Sequence, residues 1–167
     1  DHCVFAEASL GTGAIGLGRS GSSDNSIVVQ NCDFTGCQGT GIRVESCVAE
    51  GGSLSVVNSL FTTANRSNFN GIYIIDFAPK VSIDGCYFDS ADVGPSTLYG
   101  VRVSSAATPA SVYVTNCTFK DANTNGTSYP VAISSSSINS LLSVTDSTFT
   151  TGGNVIGGTG VYRGIFV

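Results

Sequence analysis

Apolar and polar residues alternate along this chain in short runs, and the runs come back on a long period. Phenylalanine recurs at Phe5, Phe34, Phe61, Phe88, Phe119 and Phe149, at intervals of roughly 27 to 31 residues, which is the spacing range of solenoid repeats. Two residues before each stands Cys3, Cys32, Ser59, Cys86, Cys117 or Ser147, and one position earlier come His2, Asn31, Asn58, Gly85, Asn116 and Asp146. Five residues before the Phe, from the second copy onward, come Val29, Val56, Ile83, Val114 and Val144. Seven before it come Ile27, Leu54, Val81, Val112 and Leu142. After each Phe a glycine-led or proline-led strand follows: Gly41-Ile42-Arg43-Val44, Gly71-Ile72-Tyr73-Ile74, Gly100-Val101-Arg102-Val103, Pro130-Val131-Ala132-Ile133 and Gly160-Val161-Tyr162-Arg163. Gly13-Ala14-Ile15-Gly16-Leu17 is a looser first copy.

Alternation with period two predicts strands, and no stretch of useful length has helical periodicity. Each period therefore predicts a short strand, a polar corner, a second strand ending on the Phe, a variable loop, and a third strand opened by Gly. One such period cannot bury its own apolar face, whereas a stack of them buries a continuous column. An antiparallel sandwich would explain the strand spacing, but not the return of the same residue types at the same offsets. The expected fold is all-β, a parallel β-helix solenoid forming one domain over residues 1–167. Its coils, about six in number, run approximately over 1–25, 26–52, 53–80, 81–110, 111–140 and 141–167. At the corners, Asn31, Asn58, Asn116 and Asp146 are expected to stack about 4.8 Å apart and to bond from coil to coil. Neither end carries a recognisable cap, so further coils or capping segments of the same polypeptide are expected.

The pattern VxVxNCxF…GIxV, its first part as at Val112 to Phe119 and its second as at Gly41 to Val44, resembles the right-handed parallel β-helix repeats of the pectate-lyase-like superfamily, over nearly the whole chain. That resemblance implies a right-handed coil. It leaves the activity open, because the superfamily contains lyases, hydrolases, epimerases, phage tailspikes, adhesins and noncatalytic surface proteins. The stretch beginning at Cys3 is also faintly similar to the polymorphic outer-membrane-protein adhesins, although GTGAI occurs once and FxxN does not occur.

Composition narrows the setting. Only 11% of residues are charged, Gly numbers 21, and Met and Trp are absent. A surface of hydroxyls and amides is typical of secreted β-rich proteins, and the expected location is extracellular, on a cell or virion surface. The net charge of −5 without a basic cluster argues against nucleic acid and anionic membranes. No apolar run reaches the roughly 20 residues of a membrane-spanning helix.

Four of the six cysteines share the inward position of the repeat and are expected to be buried thiols acting as small fillers. Cys37 and Cys47 flank one strand and are the candidate disulfide. No CxxC or Cys/His constellation points to zinc, and no metal or cofactor is expected. Sequons at Asn65 and Asn125 fall in variable loops and are candidate glycosylation sites in a secretory setting. The sequon at Asn116 belongs to the corner column.

Catalytic chemistry is poorly represented. The one histidine, His2, occupies a corner position, and no two carboxylates share a column in adjacent coils, as glycoside hydrolysis would need. The outward position of the Gly-led strand reads Gly16, Arg43, Tyr73, Arg102, Ala132 and Tyr162. Arg43, Tyr73, Arg102 and Tyr162 are the candidate ligand-binding residues, with Tyr73 between two guanidinium groups. The same residues also suit plain shielding of a strand surface. Asp89 and Lys120 are expected to form an exposed salt bridge. The expected role is a noncatalytic surface solenoid, structural or adhesive, whose partner is a carbohydrate or another surface protein. The alternative is a fragment of a polysaccharide lyase, hydrolase or tailspike depolymerase with its catalytic residues elsewhere.

Overall fold

The computed structural model describes residues 3, 15–18, 26–36, 39–47, 53–62, 69–77, 80–89, 97–105, 111–120, 127–135, 141–150, 156–160 and 165–166. All the described strands pair in parallel, in three sheets that share one interior. The Gly-led sheet contains β1 (Ile15–Gly18), β4 (Thr40–Cys47), β7 (Asn70–Phe77), β10 (Thr97–Ser105), β13 (Thr127–Ser135) and β16 (Ile156–Gly160). The second sheet contains β2 (Ser26–Gln30), β5 (Ser53–Val57), β8 (Lys80–Asp84), β11 (Ser111–Thr115), β14 (Leu141–Thr145) and β17 (Ile165–Phe166). The third contains β3 (Asp33–Phe34), β6 (Leu60–Thr62), β9 (Tyr87–Asp89), β12 (Thr118–Lys120) and β15 (Thr148–Thr150). Within each sheet a strand's neighbour is the one that follows it three strands later, so each circuit of the chain lays down one coil.

Period-two alternation produces this interior directly. In β5, Leu54 and Val56 are buried while Ser53, Ser55 and Val57 are not. In register, Leu54, Val81, Val112 and Leu142 form one inner column, and Val56, Ile83, Val114 and Val144 another. The Gly-led sheet adds Ile42, Ile72, Val101 and Val131. The periodic phenylalanines form a fourth column. Phe34, Phe61, Phe88, Phe119 and Phe149 stack with ring centroids 4.7, 4.9, 4.7 and 5.1 Å apart and planes within 8° of parallel. Centroid distances well above the contact thickness of about 3.5 Å mean that successive rings are offset, the favoured geometry for parallel aromatics.

This column explains the glycine that opens the third strand. A Cβ at Gly71 would lie 2.6 Å from the Gly100 carbonyl oxygen and 2.7 Å from the Phe88 ring of the next coil. Gly41 meets the Gly71 carbonyl and the Phe61 ring in the same way, at 2.7 and 2.9 Å. The glycine is needed because the next coil's ring and backbone occupy the place of a side chain. Gly71→Ala is therefore expected to lower stability by about 1–3 kcal/mol, the usual cost of overpacking. Urea unfolding checks it, and a loss below about 0.5 kcal/mol would mean that the coils separate easily here.

The corner column has a backbone cause that the sequence pattern had only hinted at. Asn31, Asn58, Gly85, Asn116 and Asp146 have φ of 54°, 47°, 62°, 51° and 50°. Asn, Asp and Gly are the residues that enter this left-handed region most readily. The corner amides bond across coils, from Asn31 N–H to the Val57 carbonyl at 3.0 Å and from Asn58 N–H to the Asp84 carbonyl at 2.9 Å. The Asn58 side-chain oxygen lies over the Gly85 α-carbon, leaving no room there for a Cβ. Thr115 Oγ1 and Asn116 Nδ2 donate to Asp84 Oδ1 at 2.7 and 2.9 Å. These two bonds, the Thr115 one first, hold the Asp84 carboxyl below its ordinary value. A depressed folded pKa stabilises above the unfolded pKa and is lost as pH falls through the folded one. The stability gap between the parent and Asp84→Asn is thus expected to be level near neutrality and to close below about pH 4. Urea titrations at several pH values check this, and a gap independent of pH counts against it.

The Cys/Ser column is also more than filler. Cys32 N–H donates to Ser59 Oγ at 3.2 Å, and Ser59 Oγ donates to the Val57 carbonyl at 3.0 Å. Cys117 N–H and Ser147 repeat this at 3.1 and 2.9 Å. The thiols of Cys32, Cys86 and Cys117 use the same acceptor two residues back, at 3.2, 3.5 and 3.1 Å. Serine and cysteine alternate here because each supplies one donor and one acceptor at a buried corner. Cys32, Cys86 and Cys117 are buried free thiols, whereas Cys3, expected to be buried with them, is exposed. The neighbouring Cys117 thiol, and then burial, push the Cys86 thiol up. Ser59→Ala strands the buried Cys32 N–H and is expected to cost about 1–3 kcal/mol, whereas Ser59→Cys keeps the bonding and costs less than about 1 kcal/mol. Equal losses in chemical denaturation would return the column to simple space filling.

Candidate ligand-binding face

The outward side of the Gly-led sheet carries the candidate residues. Register places Gly16 beside Arg43, Arg43 beside Tyr73, Tyr73 beside Arg102, and Arg102 beside Ala132. They face outward because they lie between buried pairs: Ile42 and Val44, Ile72 and Ile74, Val101 and Val103. All three side chains are half-buried. The Arg43 guanidinium carbon lies 5.8 Å from the Tyr73 ring centroid, and that of Arg102 lies 4.7 Å from it. Both are within cation–π range.

Two further residues join them. Tyr99, three positions before Arg102 in β10, places its ring 4.7 Å from the same guanidinium carbon. Glu45, two residues after Arg43 on the same face of β4, accepts from Arg43 Nη2 at 2.7 Å and Nε at 3.0 Å. Glu45 was legible from alternation alone, since residues two apart on a strand share a face. Sequence reasoning sought acids only in adjacent coils. Tyr99 lies an odd number of positions from Arg102, and nothing in the linear pattern turned its ring toward it.

The last coil differs from expectation. Register places Gly157 of β16 beside Ala132, so the strip position there belongs to a glycine. The strand pairing with β13 is Ile156–Gly160, which starts before the glycine-led stretch at Gly160. Tyr162 lies outside the described residues, as do Asn65, Asn125 and Cys37, and Cys47 is described only by its place in β4.

The stacking direction defines what the face offers. The Arg43 and Arg102 guanidinium groups lie over the Tyr73 ring, and Arg102 also over that of Tyr99, so these ring faces are partly taken up. The Arg102 N–H groups and the Tyr73 hydroxyl are the donors that remain on the strip. The strip is thus a comb of hydrogen-bond donors and not an open stacking platform. Beside Tyr99 in register lies Asn70, a buried amide whose Nδ2 is 3.4 Å from Thr40 Oγ1 and whose Oδ1 has no partner.

The other two faces are sparser. On the third sheet Lys120 Nζ meets Asp89 Oδ2 at 3.2 Å, and this bond and charge raise the Lys120 pKa. On the second sheet Lys80 Nζ sits 4.7 Å above the Tyr113 ring. Among the described residues no group of three or more His, Cys, Asp or Glu is arranged to hold a metal ion, and no helix is long and apolar enough to cross a membrane.

No curated protein and no solved structure matches the chain. A family model does: that of the right-handed β-helix region matches residues 2–164. With parallel strands in three stacked sheets and Gly, Phe and Asn columns repeating coil by coil, the chain belongs to the right-handed β-helix family.

Proposed function

We propose that this chain is a noncatalytic β-helix module of an extracellular, cell-surface or virion-surface protein, and that its Gly-led sheet binds a carbohydrate. The observation that carries the reading is the unbroken sequence Arg43, Tyr73, Arg102, Tyr99, in which each member lies within 5.8 Å of the next. Rows of donors spaced by a rigid scaffold suit a ligand that presents hydroxyl groups repeatedly along its length. Tyrosine supplies contact area at low entropic cost, and the planar fork of arginine loses less per hydrogen bond formed than lysine does. A surface setting agrees with a chain of only 11% charged residues.

A glycoside hydrolase or lyase requires further groups. Hydrolysis needs two carboxyl groups flanking the scissile bond; of the acids described on this sheet, Glu45 is engaged by Arg43 and Asp76 stands near the end of β7. The noncatalytic reading is preferred on that ground.

The test is binding of the parent and Tyr73→Ala to an oligosaccharide panel, followed by calorimetry on the best ligand. Removing Tyr73 takes the ring from between both guanidinium groups, and affinity is expected to fall by about tenfold or more. Equal binding, or none by either protein, removes the strip from consideration.

A further inference from the structure

The two arginines of the strip are not equivalent. Arg43 has its Nε and Nη2 committed to Glu45. Among the described residues Arg102 has no such acid beside it, and its guanidinium carbon lies 4.7 Å from each of two tyrosine rings. A guanidinium covered by aromatic rings keeps its charge and its in-plane N–H donors, and stacking leaves those donors at the edge. Its neighbours in register add no acid, being Tyr73 on one side and Ala132 on the other. A half-buried cation with its rotamer held and its fork empty is prepared for a planar or tetrahedral oxyanion.

We infer that Arg102 is an oxyanion-recognition residue, packed against Tyr73 and Tyr99, and that the ligand of this face is a glycan carrying carboxylate or sulfate groups. This rests on the carbohydrate-binding reading above and adds to it the ligand's charge and the residue that reads it. Arg43 is the matching second position, kept occupied by Glu45. The same geometry accounts for the use of arginine at this position. Lysine would supply a point charge on a flexible stem, without the flat surface that two rings can hold or the paired donors that match two oxygens.

The experiment compares chitooligosaccharides (neutral), desulfated chondroitin oligosaccharides (carboxylate) and chondroitin sulfate oligosaccharides (carboxylate and sulfate). Each is titrated calorimetrically against the parent, Arg102→Lys and Glu45→Gln, with inorganic sulfate as a competitor. The expected result is binding of at least one anionic series that weakens about tenfold or more in Arg102→Lys. That binding should also be competed by sulfate and be tighter in Glu45→Gln, where Arg43 is released. The carboxylate and sulfate arms identify which oxyanion is read. Neutral and anionic glycans bound alike, with Arg102→Lys unchanged, overturn the inference and leave the carbohydrate-binding reading standing. A loss in Arg102→Lys that is equal for neutral and anionic glycans assigns Arg102 a merely structural part and also overturns it. If no glycan of any series binds, both readings fail together.

Discussion

In this solenoid the nearest neighbour of a side chain is the side chain at the same position of the next coil. The strand spacing of about 4.8 Å is set by backbone hydrogen bonds and is the same for every column. All other contacts have to be compatible with it. Phenylalanine rings can stack at that distance if they are offset, which they are. Aliphatic residues can fill it, and Ile, Val and Leu form the remaining inner columns. Where the next coil brings a ring and a carbonyl oxygen close to an α-carbon, a hydrogen is all that fits, and Gly41 and Gly71 stand there. Register between coils is thus the constraint on which core, corner and surface all depend.

The same spacing governs the polar positions. At each corner the chain turns through a left-handed residue, and the buried amide that follows needs an acceptor that the strands do not provide. A hydroxyl or thiol from the next coil provides it, and that group donates in turn to a carbonyl of its own coil. A hydrogen-bonded chain along the solenoid results, in which Ser and Cys are exchangeable and Ala is not. Outside, the spacing brings unlike charges and rings into contact without any loop taking part. Lys120 meets Asp89, Lys80 meets Tyr113, and the arginines meet Tyr73. Most such pairs contribute little to stability. Their interest lies in which groups the pairing leaves unoccupied, and Arg102 is the clearest of these.

The architecture could be read from the chain because the period was carried by whole columns. Phe at one offset, Cys or Ser two before it and Asn before that cannot recur by strand propensity alone. Glycine at the head of the third strand and Asn at the corner were visible as patterns, but their causes were not. One is a ring in the next coil and the other is a positive φ. The reading failed where the repeat loses its marks. In the last coil two candidate strands overlap, and pairing with β13 selected Ile156–Gly160 over the glycine-led stretch beginning at Gly160. A slip of this kind changes which side chain faces outward, because faces alternate residue by residue.

What the sequence determined by itself was the set of columns: which residues recur, at which offsets, and on which side of each strand. These follow from period-two alternation and a fixed repeat length, both properties of the linear chain. What only the tertiary structure decided was occupancy. Arg43 and Arg102 are the same residue at the same offset, yet one is tied to Glu45 and the other packs against two rings. That difference depends on rotamers and on Tyr99, three positions away in the same strand, whose ring period-two spacing does not direct toward Arg102. The physical reason is that strand register fixes α-carbons, while the partner of a long side chain is chosen among several neighbours within its reach.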